Sequence, residues 1–117
     1  MTEKIIGCAI EVHRNLGPGL LESIYERALC CEFNICGIQY ESQVIVPVVY
    51  KGNNLGECRL DLLVEKEIIL ELKAVERMEP VFKAQLLSYL KMTGKRLGLL
   101  MNFNVPFLKD GVTRVIL

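Results

Sequence analysis

The sequence has no tryptophan, a single histidine and no net charge, because its 14 basic residues equal its 14 acidic residues in number. A zero formal charge excludes a strongly basic, histone-like nucleic-acid binder, although a local basic patch stays compatible with it. One histidine, with no cysteine pair at the C-x-x-C spacing, excludes the common zinc-finger patterns. The hydrophobic share of 51% and the charged share of 24% exclude an intrinsically disordered chain.

Long apolar runs are also absent. The longest uncharged segment, residues 97–108, is too short to span a bilayer and contains two asparagines and a proline. The first residues lack the apolar run of a signal peptide. The five cysteines are an odd number, which fits free thiols better than a disulfide framework. These absences predict a cytoplasmic protein with reduced thiols and no membrane contact.

The length of 117 residues predicts a single domain, residues 1–117, that builds its core without disulfides or a structural metal. The charges are unevenly distributed along it. Residues 41–80 carry eight acidic and five basic groups, whereas residues 81–117 carry one acidic and six basic groups. A basic segment after an acidic one suits a site for metal and phosphate. Ordinary solvated charges on helices and loops are the alternative.

The hydrophobic periodicity predicts the element order α-α-β-β-β-α-β-β. Turn residues separate the elements, notably Gly17-Pro18-Gly19 and Gly94. Because the strands do not alternate regularly with helices, we expect an α+β member of the α/β class, with a mixed central sheet flanked by helices. The helices are predicted at residues 2–14, 20–34 and 80–93, and the strands at 43–50, 58–64, 68–75, 97–102 and 113–117.

The second and third predicted strands form a hairpin around a tight turn at Lys66. Pairing across this turn places Asp61 directly opposite Glu71, with Lys73 on the same face one pleat further along. The opposite face is then an uninterrupted apolar surface that belongs to the core. It is made by Leu60, Leu62, Val64, Ile68, Leu70 and Leu72.

Two carboxylates that face each other on a sheet repel unless a cation lies between them. Converging carboxylates with open coordination positions are typical of a Mg²⁺ site. Lys73, beside such a site, is suited to orient a water molecule and to stabilise charge on a phosphate. The alternative is a solvated sheet face, on which Arg59 and Lys73 neutralise the acids.

The acidic pair and the lysine form the pattern D-x9-E-x-K, which resembles the core of the PD-(D/E)XK nuclease superfamily. Residues 19–25, which read GLLESIY, resemble the motif that names the GxxExxY proteins, a bacterial and archaeal group of that superfamily. The proline that usually precedes the aspartate is replaced by Leu60. The resemblance covers nearly the whole chain, including residues 10–19, 85–90, 97–103 and 108–111.

The resemblance implies a restriction-endonuclease-like core in which Asp61 and Glu71 bind Mg²⁺ or Mn²⁺, with Glu22 of the first core helix as a further ligand and catalytic group. Lys73 would stabilise charge or orient water. Gln85 and Tyr89, one helical turn apart, match the Q-x-x-x-Y helix of the superfamily, and a structural hydrogen bond is the alternative role for them.

Two other polar features are open to two interpretations each. Glu22, Tyr25 and Glu26 lie at i, i+3 and i+4 and form a polar stripe on one helix face, which is either part of the site or simply solvent-exposed. His13 is either a general base or a residue that caps a helix or binds a loop carbonyl.

These features together predict a Mg²⁺-dependent nuclease that hydrolyses phosphodiester bonds of DNA or RNA. The alternative is a catalytically silent, nuclease-like binding or regulatory module that contacts protein or nucleic acid, including a second copy of itself through an apolar face. The retention of opposed carboxylates beside a lysine favours the enzyme.

Overall fold

The computed structural model describes every residue from Met1 to Leu117, and its element order confirms the predicted one. A short 3₁₀ turn, Leu108–Gly111, precedes the last strand. The three helices are α1 (Thr2–Leu16), α2 (Glu22–Cys36) and α3 (Pro80–Thr93), and the five strands are β1 (Tyr40–Tyr50), β2 (Asn53–Val64), β3 (Ile68–Lys73), β4 (Leu97–Asn102) and β5 (Val112–Ile116).

The helix ends follow from local sequence signals. Gly37 and Gly94 end α2 and α3 with φ angles of 72° and 73°, a left-handed conformation that glycine adopts without steric strain. Pro80 lies in the first turn of α3, where its missing N–H is not needed. None of the helices combines the length and the apolar composition that crossing a membrane requires.

The five strands form one mixed sheet in the order β1-β2-β3-β4-β5. All neighbouring strands are antiparallel except β3 and β4, which are parallel. A parallel pair needs a crossover connection, and α3 supplies it. The predicted mixed sheet flanked by helices is therefore confirmed.

Helices cover both faces of the sheet. On one face, α1 and α2 pack over a core that includes Tyr25, Phe33 and Phe103, all fully buried. On the other face, α3 packs over a smaller core through Leu86 and Leu90. Each strand in the middle of the sheet thus contributes side chains to both cores, which explains why β3 is almost continuously apolar.

The predicted register of the β2–β3 hairpin is confirmed next to its turn, where Leu62 pairs with Leu70 and Val64 pairs with Ile68. The expectation that Leu60 shares a face with Leu62 is wrong, because Leu60 packs under α3 whereas Leu62 packs under α1 and α2. The regular alternation of side chains is interrupted between these two residues.

The interruption lies at one position on each of two strands. In the β1–β2 ladder, Ser42 pairs with Leu62 and Val44 pairs with Leu60, while Gln43 and Asp61 form no pair between them. Gln43 has a φ angle of 56°, which is unusual for a residue with a side chain. An irregularity of this kind turns the strand and redirects its side chains. It frees Asp61 from regular pairing.

Candidate active site

The site lies where the β2–β3 ladder opens, just beyond the Leu62–Leu70 pair. Here the backbone N–H of Asp61 donates to Oε2 of Glu71 at 3.0 Å, and the N–H of Leu72 donates to Oδ2 of Asp61 at 2.8 Å. The backbone N–H groups of Asp61 and Leu72 thus donate to carboxylates instead of to backbone carbonyls of a neighbouring strand. Asp61 and Glu71 directly follow the Leu62–Leu70 pair, and side-chain hydrogen bonds take the place of a regular ladder pair at this step.

The two carboxylates fit a hard divalent cation. Each one uses a single oxygen for a backbone donor. The second oxygen of each carboxylate takes no backbone donor and is left for another ligand. No group of three or more His, Cys, Asp or Glu side chains is arranged to hold a metal. Mg²⁺ commonly uses one or two carboxylates together with waters and substrate phosphate, and two carboxylates suit that mode.

The surroundings oppose ionisation of the pair. Burial, and next the charge of Asp61, raise the pKa of Glu71 to about 8, and the Glu71 side chain is only 5% exposed. Burial also raises the pKa of Asp61, against the hydrogen bond from the N–H of Leu72. Without a cation the pair therefore carries less than its full negative charge at neutral pH.

Lys73 ends β3 and is half-buried beside the carboxylates. Its Nζ lies 4.5 Å from the centre of the Phe82 ring of α3. The Lys73 charge acts to lower the pKa of both Asp61 and Glu71. The only ion pair in the structure joins Arg14 to Glu11, so the ammonium group is not fixed to either carboxylate.

Helix α3 brings Tyr89 to the same region. Burial, followed by the charges of Glu71, Cys58 and Asp61, raises the pKa of Tyr89, and the neighbouring Gln85 opposes the rise. Tyr89 is half-buried, while Gln85 is exposed. The structure therefore brings Tyr89 within reach of the charges of the carboxylates, whereas Gln85 lies on the exposed side and contacts Tyr89.

Helix α2 contributes two acidic residues from successive turns. Glu22 is exposed at the first residue of α2, and its charge raises the pKa of Asp61 less than that of Glu26 does. Glu26 is half-buried, and its charge acts on both Asp61 and Glu71. Glu22 does not complete a three-ligand group with the two strand carboxylates.

Tyr25 does not belong to a polar stripe, because its side chain is fully buried. Its ring stacks on Phe103 at a centroid distance of 4.6 Å. Its hydroxyl donates to the carbonyl of Gly17 at 2.6 Å and accepts the N–H of Leu20 at 3.1 Å. Tyr25 therefore fixes the loop that leads into α2, and with it the position from which α2 presents Glu22 and Glu26.

Two further polar residues hold loops near this end of the sheet. Nε2 of His13 lies 2.8 Å from the carbonyl oxygen of Val105, which confirms the interpretation of His13 as a residue that binds a loop carbonyl. Asn102, buried at the end of β4, binds both the N–H and the carbonyl of Val75 and accepts the N–H of Asn104. Since Lys73 pairs with Asn102 in the sheet, these bonds fix the chain directly after Lys73.

Sequence reasoning named Glu26 only as one member of a polar stripe and missed Gln43 altogether. Glu26 lies one helical turn after Glu22, so the spacing i, i+4 was an available signal for it. Gln43 gave no signal, because its importance lies in a backbone angle that its residue type does not favour. The side chains of these two residues are hydrogen-bonded to each other.

Comparison with known families gives one match, which extends over nearly the whole chain. The model of a family described as PD-(D/E)XK nuclease superfamily matches residues 1–115. A search of curated proteins found no match. The match includes all of the residues that form the site.

Proposed function

The chain belongs to the PD-(D/E)XK nuclease superfamily, and from this premise we propose that it hydrolyses phosphodiester bonds of DNA or RNA with Mg²⁺ or Mn²⁺ as cofactor. Within the superfamily, we propose that it is one of the GxxExxY proteins. Gly19, Glu22 and Tyr25 carry that assignment.

The observation that carries the proposal is the arrangement of Asp61 and Glu71. A sheet normally satisfies backbone donors with carbonyls, yet here two donors are given to carboxylates, each of which keeps its second oxygen for another ligand. Burial makes the ionised pair unstable on its own, as the raised pKa of Glu71 indicates. A divalent cation removes this instability, which supports metal binding by Asp61 and Glu71.

A bound divalent cation would supply Lewis acidity at the phosphate and a water molecule of lowered pKa. Glu22 is the proposed third acidic group, a metal ligand and catalytic residue at the start of α2. Because Glu22 is exposed, it can rotate toward an incoming substrate without leaving a buried charge unpaired. Asp61 and Glu71, being fixed by backbone donors, need no reorganisation.

Lys73 is the proposed group that stabilises negative charge on the phosphate. Its ammonium lies over the Phe82 ring and is held in no ion pair, so it remains free to bind an anionic oxygen. Tyr89 and Gln85, on the same helix as Phe82, are proposed to hold the attacking water or the Lys73 ammonium in position by hydrogen bonds.

The test is cleavage of a panel of single- and double-stranded DNA and RNA oligonucleotides with Mg²⁺, Mn²⁺ or EDTA. Wild type is compared with Lys73→Ala and with Lys66→Ala, a matched control in the exposed turn at the other end of β3. All three proteins are purified identically. We expect metal-dependent cleavage by wild type and Lys66→Ala, and a loss of about 100-fold or more in Lys73→Ala.

Equal trace cleavage by all three proteins would contradict the proposal. It would favour the alternative, a nuclease-like module that binds without cutting. Binding of the same oligonucleotides in EDTA, measured by fluorescence anisotropy, then separates a nucleic-acid-binding module from a protein-binding one.

A further inference from the structure

Glu26 uses both of its carboxylate oxygens to bind the irregular segment of β1. Its Oε1 and Oε2 accept the side-chain amide of Gln43 at 2.8 and 2.9 Å, and Oε2 also accepts the hydroxyl of Ser42 at 3.1 Å. These bonds connect α2 to the edge strand of the sheet. Both oxygens of Glu26 are thus engaged by side chains of β1.

The residue that Glu26 binds has a backbone conformation that needs support. Gln43 has a φ angle of 56°, in the left-handed region where the Cβ of an ordinary residue meets the backbone. Glycine adopts this region freely, and glutamine does not. Two hydrogen bonds to the Gln43 side chain can offset the free-energy cost of this backbone angle.

Gln43 stands at the position in β1 that would otherwise pair with Asp61. The ladder continues on both sides, through Ser42 with Leu62 and Val44 with Leu60, and skips only this pair. The skipped pair leaves Asp61 free to exchange hydrogen bonds with Glu71 and Leu72 on β3. The conformation of Gln43 and the placement of the carboxylates are thus parts of one local arrangement.

We propose that Glu26 is a positioning residue for the site, which acts by holding Gln43 in the left-handed conformation and so keeps Asp61 turned toward β3. Glu26 contacts neither metal nor substrate in this role. The catalytic consequence of the proposal rests on the proposed nuclease function, whereas its structural part does not.

The test compares two substitutions at one position. Gln43→Ala and Gln43→Gly both remove the amide that Glu26 binds, but only alanine keeps a Cβ that opposes a φ angle of 56°. We expect Glu26→Ala and Gln43→Ala each to lower kcat by about 10- to 100-fold with little change in KM. The double variant Glu26→Ala/Gln43→Gly should recover at least about fivefold over Glu26→Ala, because glycine needs no partner to hold the angle.

Glu32→Gln is the matched control, since Glu32 lies on the same helix, and the only hydrogen bond of its side chain is from Cys36. It should cleave like wild type. If Glu26 instead acted through its charge on the carboxylates, glycine at position 43 would give no recovery, and Gln43→Ala and Gln43→Gly would be equivalent. That result would overturn the proposal.

Hydrogen exchange of single amides tests the proposal without any catalysis. The amides of Asp61 and Leu72 donate to carboxylates of the site, whereas the amide of Phe103 donates to the carbonyl of Lys73 at 2.8 Å and serves as an internal reference. Glu26→Ala should speed exchange at Asp61 and Leu72 about tenfold or more relative to Phe103, and Gln43→Gly in that background should slow it again.

The two readouts separate the failure of this proposal from the failure of the nuclease function. A wild type without cleavage, in which exchange nevertheless responds as expected, supports the positioning role and contradicts only the enzyme. Unchanged exchange at Asp61 and Leu72 in Glu26→Ala overturns the positioning role, whatever the cleavage assay shows.

Discussion

The two ends of the β2–β3 hairpin have the same strands but different chemistry. At the end near the turn, which we call the closed end, Leu62 pairs with Leu70 and Val64 with Ile68 in a regular ladder of buried apolar residues. At the other end, the open end, Asp61 and Glu71 replace the ladder with bonds from carboxylates to backbone N–H groups. The strands pair regularly in one place and are joined through side chains in the other.

The difference shows how a small sheet can hold two carboxylates in fixed positions between its strands. A regular ladder uses all its backbone donors internally and presents only side chains. Where the ladder opens, the freed donors hold acidic side chains in fixed positions between the strands. The closed end is thus regular and apolar, whereas the open end keeps two acidic side chains partly buried, an arrangement that costs stability.

The largest expected effect comes from removing charge at the open end. Asp61→Asn keeps an oxygen for the N–H of Leu72 but loses a metal-binding charge. We expect cleavage to fall about 1,000-fold, equivalent to roughly 4 kcal/mol. Steady-state cleavage of the best oligonucleotide measures it, with Glu67→Gln in the exposed turn of the closed end as control. Retention of more than a tenth of the activity by Asp61→Asn would remove Asp61 from the site.

The next effect comes from the closed end and concerns stability. Leu70 is fully buried between β2 and β4 in the core under α1 and α2. Leu70→Ala removes apolar contacts and leaves a cavity, so the free energy of unfolding should fall by about 2–5 kcal/mol. Urea denaturation measures this change. A loss below about 1 kcal/mol would show that the closed end is not the rigid part of the hairpin.

Stability at the open end should depend on pH in the metal-free protein. The pKa of Glu71 is raised by burial to about 8, so between its ordinary value near 4.5 and about 8 the folded state holds a proton that the unfolded state has released. Unfolding then releases a proton, and stability falls as pH rises through this window. Glu71→Gln should flatten the decline and be more stable than wild type at pH 8, on the order of 2 kcal/mol.

Denaturation in EDTA at several values from pH 5 to pH 8 measures this decline, and Glu67→Gln should keep the slope of wild type because Glu67 is exposed. A wild-type stability that rises over the same window, with Glu71→Gln rising in parallel, would mean that Glu71 is ionised in the folded protein.

The smallest effect is the response to metal. If Asp61 and Glu71 bind Mg²⁺, the cation stabilises the folded state by mass action, by about 1.4 kcal/mol at ten times its Kd. Thermal denaturation with increasing Mg²⁺ should show the rise in wild type and none in Asp61→Asn. The same increase in both proteins would place the cation elsewhere.

Sequence reasoning predicted the closed end well. The register of Leu62 and Leu70 follows from a tight turn at Lys66 and a period of two. The bounds of α3 were predicted to the residue, because Pro80 and Gly94 mark them. The α+β class and the superfamily followed from the element order and from the D-x9-E-x-K pattern.

The open end could not be predicted to the same depth. A period of two assigns Leu60 and Leu62 to one face, and only the irregular pair between Gln43 and Asp61 puts them on opposite faces. The left-handed angle of Gln43 occurs together with tertiary hydrogen bonds to Glu26, which no local pattern encodes. Tyr25 likewise looked like a surface residue, because its buried hydroxyl meets partners in a loop rather than on its own helix.

The hydrogen bonds of the Asn102 side chain affect how much conformational entropy the segment after Lys73 loses when a ligand binds. It binds the N–H and the carbonyl of Val75 at 3.1 and 2.9 Å, as the backbone of a neighbouring strand would. The hydrogen bonding of the sheet therefore continues past Lys73, with a side chain in place of a strand. The segment after Lys73 is thereby ordered before any ligand arrives. A segment that is already ordered loses little further conformational freedom when a polymer binds next to it, so less of the interaction free energy is spent on ordering the protein.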